Sequence, residues 1–300
     1  IYPTMNYDQA LSYLNSFINY EKSLPNISPK KFSLDRVKEL LKALNDPQDH
    51  LRTIHVAGTK GKGSTCAFIA SILKEAGYRT GLYTSPHINN IRERIRLLDM
   101  DITKPAHPDD IFPDMISEKL FVEIISHHKE EIEKVKDNPD VGQITFFEVL
   151  TALALVYFKE QEADFVVLET GIGGRLDATN ITKSLVVALT PIGLEHTAML
   201  GNTLDKITDE KKAIIKYKNQ RVVLAPQEEN VMKLLKERSG QFDIKPVVVV
   251  EDISYTSEMT QENHQVFNAQ TRQATYDHLK IPLLGNHQLM NASVALGVIE

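Results

Sequence analysis

The sequence predicts an α/β fold: a P-loop-type, doubly wound, mostly parallel sheet flanked by helices, with a small β excursion near the C-terminal end. Three observations predict it. Short β-branched apolar runs alternate with segments of helical period along most of the 300 residues. Residues 53–84 read as strand, glycine-rich loop, helix and second strand, a βαβ unit that implies parallel pairing. Polar and glycine-rich stretches gather after strand ends, where open α/β sheets bind ligands.

The elements follow in order. Residues 6–20 place Tyr7, Ala10, Leu11, Leu14, Phe17 and Ile18 at helical spacing, and Pro25 and Pro29 interrupt the pattern. Residues 1–4 precede Met5 as an upstream remnant or as part of the native start. A second helix over 34–44 is N-capped by Ser33 and stopped near Pro47. Residues 51–57 are a buried strand, 65–76 a helix closed by Gly77, and 79–85 a short strand running into Pro86 and His87. Residues 89–113 are polar and proline-bearing, a loop or a weak sheet edge. Residues 116–135 form a helix with a charged, solvated outer face, and 146–158 a strongly apolar helix begun after Thr145. Strands over 164–169, 184–190, 221–225 and 246–250 alternate with helices over 203–215 and 228–238. Residues 255–284 form the β excursion, and Gly285 opens a last helix still running at Glu300.

Composition narrows the classes. With 42% hydrophobic and 25% charged residues the chain is ordinary for a soluble protein. A net charge of −6 argues against a general nucleic-acid or membrane surface, so neither partner is expected, and a phosphate site would be a local positive patch. Cys66 is the only cysteine, which excludes an internal disulfide and fits a reducing compartment. It reads as buried and inert. No apolar run approaches the ~20 residues of a membrane span, and no signal-peptide core is present, so a cytoplasmic location is expected.

The chemistry-bearing stretch is His55-Val56-Ala57-Gly58-Thr59-Lys60-Gly61-Lys62-Gly63-Ser64-Thr65. A common P-loop reads G-x-x-x-x-G-K-[ST]; here Val56 replaces the first glycine and Gly63 separates Lys62 from Ser64. The alternative is a glycine-rich turn with an exposed lysine, but the strand and helix flanks favour a phosphate loop. Gly58, Gly61 and Gly63 let the backbone approach phosphate, the helix N-terminus adds partial positive charge, Lys62 reaches the β- and γ-phosphates, and Ser64 can ligate Mg²⁺. Glu148, in the first turn of an apolar helix, either compensates the helix dipole or ligates a metal. His196, after a strand end, is a structural histidine or a ligand. The alternating Arg92, Arg94 and Arg96 form a solvated strand face or recognise an anionic substrate. Residues 171–180 lack the dinucleotide spacing G-x-G-x-x-G.

Taken together in order, the chain resembles the folylpolyglutamate synthase/dihydrofolate synthase family, a branch of the Mur ligases. The resemblance rests on residues 55–64, Tyr83-Thr84-Ser85-Pro86-His87, Thr145-Phe146-Phe147-Glu148, Glu169-Thr170-Gly171-Ile172-Gly173-Gly174-Arg175-Leu176-Asp177-Ala178-Thr179-Asn180, Glu195-His196, Leu200-Gly201-Asn202-Thr203, Glu210-Lys211, and Gly285-Asn286-His287-Gln288 with Asn291-Ala292. It implies an ATP-dependent amide ligase that adds L-glutamate to dihydropteroate or to the γ-carboxylate of folates through an acyl phosphate.

The resemblance also implies roles. Gly58, Thr59, Lys60, Gly61, Lys62, Gly63, Ser64, Thr65 and Asn291 bind ATP. Ser64 and Glu148 hold a first Mg²⁺, and His196 a second. Lys62, Lys211 and His196 are catalytic, Lys211 as a carbamate. Thr84, Ser85, Pro86 and Arg92 belong to the folate-receiving region. The partners implied are small molecules, and a monomer is expected. Residues 1–300 then form one ATP-binding domain, divided into a helical segment (5–50), an α/β core (51–250), a β subregion (251–284) and a last helix (285–300), with the family's glutamate-binding C-terminal domain absent. Three departures stand out. Glu195 replaces the usual aspartate, Lys212-Ala213 replaces the usual Ala-Gly, and no Asp-Gly-Ala-His-Asn motif occurs. Two other readings stay open: a Mur-type ligase for another acceptor, and a nucleotide-binding module without ligase chemistry. Glu148, His196 and Lys211 favour a ligase, and residues 83–87 favour folate.

Overall fold

The computed structural model of the chain describes residues 5–21 and 33–300. The breaks expected at Pro25 and Pro29, and the segment before Met5, lie outside the described residues. Strands β1 (Thr53–Ala57), β2 (Thr80–Tyr83), β3 (Ile95–Leu98), β4 (Phe165–Glu169), β5 (Val186–Leu189), β6 (Arg221–Leu224) and β7 (Val247–Val248) form a seven-stranded sheet in the order β3-β2-β4-β1-β5-β6-β7. Every pairing is parallel except β2 with β3. The helices are α1 (Tyr7–Asn15), α2 (Asp35–Ala43), α3 (Lys62–Glu75), α4 (Glu118–Lys136), α5 (Phe146–Glu160), α6 (Thr197–Leu200), α7 (Leu204–Lys211), α8 (Glu229–Gly240) and α9 (Asn286–Ile299). Strands β8 (Ser254–Thr260), β9 (Gln265–Gln270) and β10 (Thr275–Ile281) make a separate antiparallel sheet, the expected β excursion.

The period-2 pattern of the strands makes the sheet two-faced. On β4, Val166 and Leu168 join the cluster formed with α1, α2, α4 and α5, whereas Val167 joins α3 and α9 on the opposite side. Farther along, Val187, Leu189, Val222 and Leu224 pack with α7 and α8. Each fully buried leucine or phenylalanine side chain contributes about 1.5–3 kcal/mol by leaving water, so these faces hold the layers together. β1 lies centrally between β4 and β5, so the loop after it opens at the middle of the sheet's C-terminal edge, flanked by Glu169 and Thr190.

Several boundaries differ from the sequence reading, three of them by altering what an element does. α3 starts at Lys62, three residues early, because Gly61 takes φ +87 and turns the chain directly into the helix; Gly77, at φ +88, follows its last residues as expected. α1 ends at Asn15, and Ile18 instead bridges Thr145 as extended chain. The polar stretch after residue 89 contains a 3₁₀ turn (Ile91–Arg94) and the ordered strand β3. Its three arginines are the reason. Arg92 pairs with Asp110, Arg94 with Glu21 at 2.6 Å and Arg96 with Asp114 at 2.6 Å, and each guanidinium also lies over an aromatic ring.

Candidate active site

The phosphate loop is built by close approach. Gly58 (φ +151) leaves no room for a Cβ beside the Thr190 side chain, and a Cβ at Gly61 would meet the Asn291 amide. The amides of Thr59 and Lys60 donate to the Pro191 carbonyl at 2.9 and 3.4 Å, and the Thr59 hydroxyl donates to the Gly193 carbonyl at 3.0 Å. The loop is thus fastened to the chain leaving β5. Lys62 Nζ reaches back to the Thr59 carbonyl at 3.4 Å. Asn291 Oδ1 and Thr65 Oγ1 are buried polar atoms without partners, so acceptors and donors for a ligand are preset there.

Lys211, at the end of α7, is 1% exposed and donates to the Gly58 carbonyl at 2.5 Å. Burial lowers its pKa to about 8, and the Lys62 ammonium adds to that; Glu195 opposes it. Glu195 lies between two expected site residues, its carboxylate oxygens 3.7 Å from Lys211 Nζ and 3.7 Å from His196 Nε2. His196 stands at φ +47, in the left-handed region, uncommon for residues with a Cβ though histidine enters it more readily than most. The loop, Asn291, Lys211, Glu195 and His196 therefore converge on one end of the sheet.

Glu169 joins them, and sequence reasoning gave it no role. It ends β4, directly beside the loop strand. Its Oε2 is 3.5 Å from the position of a Cβ on Gly63 and accepts the Ser85 amide at 3.0 Å. Burial pushes its carboxyl up to about 7, while Lys62 and the Ser85 N–H pull it down. Its position after a buried strand was the available signal. Ser85 therefore stands near the loop, with Thr84 held by the Arg94 carbonyl at 3.1 Å and Pro86 following a cis peptide.

Two expectations need correction. Glu148 is not offered to the phosphate loop. Its oxygens accept Arg36 at 3.0 Å and the Thr145 amide at 2.7 Å, closing the capping box of α5. Four donor contacts leave little capacity for a metal. Arg92 is not available to substrate: it is 2% exposed, bound to Asp110 and to the Ile116 carbonyl at 3.1 Å.

A cleft opens between the start of α5, the turn after β4 and the end of α7. Ile18, Tyr20, Phe147 and Leu200 give it apolar walls, and Arg175, Asp177 and Glu210 give it polar edges. Gly171 presents bare backbone to it, since a Cβ there would sit 2.8 Å from the Phe147 ring. Arg175 grips Glu210 at 2.9 Å, one residue from Lys211. Among the described residues, no three His, Cys, Asp or Glu side chains gather as a metal centre.

A glycine-rich strand-to-helix loop at the middle of a doubly wound sheet, with lysines and acids around it, defines the phosphate-loop α/β class. The chain belongs to the Mur ligase middle domain family, which it matches over residues 56–299. It is similar to the dihydrofolate synthase/folylpolyglutamate synthase of Bacillus subtilis, with 35% identity over 273 residues, covering 90% of this chain and 59% of that protein. It is 31% identical to the folylpolyglutamate synthase of Lacticaseibacillus casei over 298 residues, covering 97% of this chain and 63% of that one. Among solved structures, an FPGS-AMPPCP-folate complex superposes with a TM-score of 0.86 at 29% identity, covering 98% of this chain and 66% of that one. The folylpolyglutamate synthase of Thermotoga maritima gives 0.83 at 30% identity, covering 98% and 61%. The chain spans less than two thirds of the length of each of these relatives.

Proposed function

We propose that this chain is the ATP-binding part, one domain over residues 1–300, of an acid–amino-acid ligase. It adds L-glutamate to dihydropteroate, to the γ-carboxylate of folates, or to both. One observation carries the reading: the end of α7 links the cleft to the phosphate loop, since Glu210 lines the cleft and its neighbour Lys211 donates to the Gly58 carbonyl. The similarity to enzymes named for this reaction, one of them bound to AMPPCP and folate, supports the same assignment.

In this reading the acceptor's ring system lies against Phe147 and its carboxylate points to the loop. A carboxylate oxygen attacks the γ-phosphorus, the bond to the bridging oxygen breaks, and ADP leaves. Lys62 and the backbone of 58–65 bind the triphosphate and offset the charge that spreads over the transferring phosphoryl group. The glutamate amine then attacks the acyl carbonyl, loses a proton, and phosphate departs. Asn291 contacts the nucleotide from the side of α9. Mg²⁺, when bound, neutralises phosphate charge; Glu169 with Ser64 on one side, and Glu195 with His196 on the other, are the residues that fit it. Lys211 in its neutral form adds to CO₂, releasing a proton and becoming a carbamate beside Glu195. The protein works on small molecules as a cytoplasmic monomer; no helix among the described residues is long and apolar enough to cross a membrane.

The test is phosphate release with Mg-ATP and glutamate, comparing dihydropteroate with tetrahydrofolate. Release that depends on either acceptor is expected. Release indifferent to both would overturn the substrate assignment. A ¹³C carbamate resonance after exposure to ¹³CO₂, lost in Lys211→Ala, checks the modification.

A further inference from the structure

A buried ionisable group that this chemistry leaves unused is His55, in the strand that delivers the phosphate loop. It is 1% exposed, and its Nε2 lies 2.7 Å from Thr179 Oγ1. Thr179 Oγ1 in turn lies 2.5 Å from Asp177 Oδ1. Asp177 accepts the amides of Gly171 at 2.9 Å and Ile172 at 3.0 Å on Oδ2, and that of Thr179 at 3.0 Å on Oδ1. Gly171, Ile172, Asp177 and Ala178 line the cleft.

The direction of this chain of hydrogen bonds follows from counting protons. Three backbone donors converge on Asp177, so its carboxylate acts as acceptor throughout. The single hydroxyl hydrogen of Thr179 goes to Asp177. His55 must then donate its Nε2–H to the same oxygen, which fixes the tautomer and leaves Nδ1 a bare lone pair. Nδ1 is buried and has no partner. An unmatched buried acceptor is costly, and the tautomer that places it there is kept because the other nitrogen is needed as a donor.

We propose that His55 is a positioning residue for the acceptor cleft: through Thr179 and Asp177 it holds the Gly171–Ile172 backbone against Phe147, and so couples the phosphate-loop strand to the cleft wall. Lys216 supports the same turn from the other side, donating to the carbonyls of Asn180 at 2.5 Å and Thr182 at 3.0 Å. The consequence for substrate rests on the function proposed above; the consequence for the backbone does not.

Three variants test it: His55→Leu removes the donor, His55→Gln keeps one N–H at similar reach, and Thr179→Val removes the relay oxygen at equal volume. Amide hydrogen exchange over residues 171–179 is read first, since it needs neither substrate nor turnover. His55→Leu and Thr179→Val should speed exchange there about tenfold, the loss of one buried hydrogen bond, with the amides of α8 unchanged. His55→Gln should stay within twofold of the parent. In the ligase assay the first two should raise the acceptor KM several-fold and leave the ATP KM and kcat within twofold. Unchanged exchange in a folded His55→Leu, or Gln behaving like Leu, would overturn the proposal. If His55→Leu does not fold, Thr179→Val and His55→Gln decide it. Faster exchange without any ligase activity in the parent keeps the positioning role and removes the function proposed above.

Discussion

Two glutamates separate what a residue is from what it can do. Glu148 and Glu169 are both nearly buried acids at element ends. Arg36 and the Thr145 amide occupy the first, whereas the second faces Lys62 and the glycine loop. Glu169→Ala should raise the Mg²⁺ concentration for half-maximal phosphate release about tenfold. Glu148→Ala should leave that midpoint unmoved and instead lower stability by about 3 kcal/mol, because a nearly buried Arg36 loses its counter-charge. A Mg²⁺ titration and a urea midpoint on each variant check both. Lys62→Ala should reduce ATP-dependent phosphate release by about 100-fold or more; full activity in that variant would sink the phosphate-loop assignment.

His55 makes a pH prediction at the same scale. Burial lowers its folded pKa to about 3, with the Lys216 charge adding to the effect, against about 6.5 unfolded. Asp177, at the far end of the Thr179 relay, is also buried, and desolvation pushes its carboxyl up. For His55 the folded pKa lies below the unfolded one, so the unfolded chain binds the extra proton between these values. Stability is therefore complete above pH ~6.5 and falls as the pH drops toward 3, by up to about 1.4 kcal/mol per pH unit from this group. His55→Gln should flatten that limb in urea unfolding followed against pH.

At the scale of elements, glycines and arginines set the walls. Gly171 is the point where the strand-to-turn backbone meets the Phe147 ring, so the methyl group of Gly171→Ala presses on that ring and displaces a wall of the cleft. It should raise the acceptor KM about tenfold with the ATP KM unchanged, measured by varying each substrate in turn. The arginines of the turn and strand after β2 fasten the sheet edge. Arg92→Ala should cost about 3–5 kcal/mol, because it leaves Asp110 buried and unpaired. A stable variant with only a raised substrate KM would restore the anion-recognition reading.

For the whole molecule, the parallel order centred on β1 gathers residues from positions 58 to 291 onto one edge. A ligand that binds only the folded state stabilises it by RT ln(1 + [L]/Kd), about 2.7 kcal/mol at 100 Kd. Mg-ATP at that excess should raise the melting temperature by several degrees, measured by calorimetry, and Lys62→Ala should abolish the rise.

The fold class, the alternation of strands and helices, and the glycine-rich turn from β1 into α3 were legible from the sequence alone, because each is written in local chemistry: period-2 and period-3.6 burial, glycine freedom and capping. The family followed from ordered motifs, since many short matches in one order carry more information than any single motif. What the sequence could not decide was which charged group faces which. Glu148 and Glu169 look alike in their windows, and Arg92 looks like a free cation until Asp110 is folded against it. Partners far apart in the chain settle these questions: Arg36 with Glu148, Lys211 with Gly58, His55 with Thr179. Electrostatic and hydrogen-bond roles depend on distance in space, and only the packed tertiary structure sets that distance.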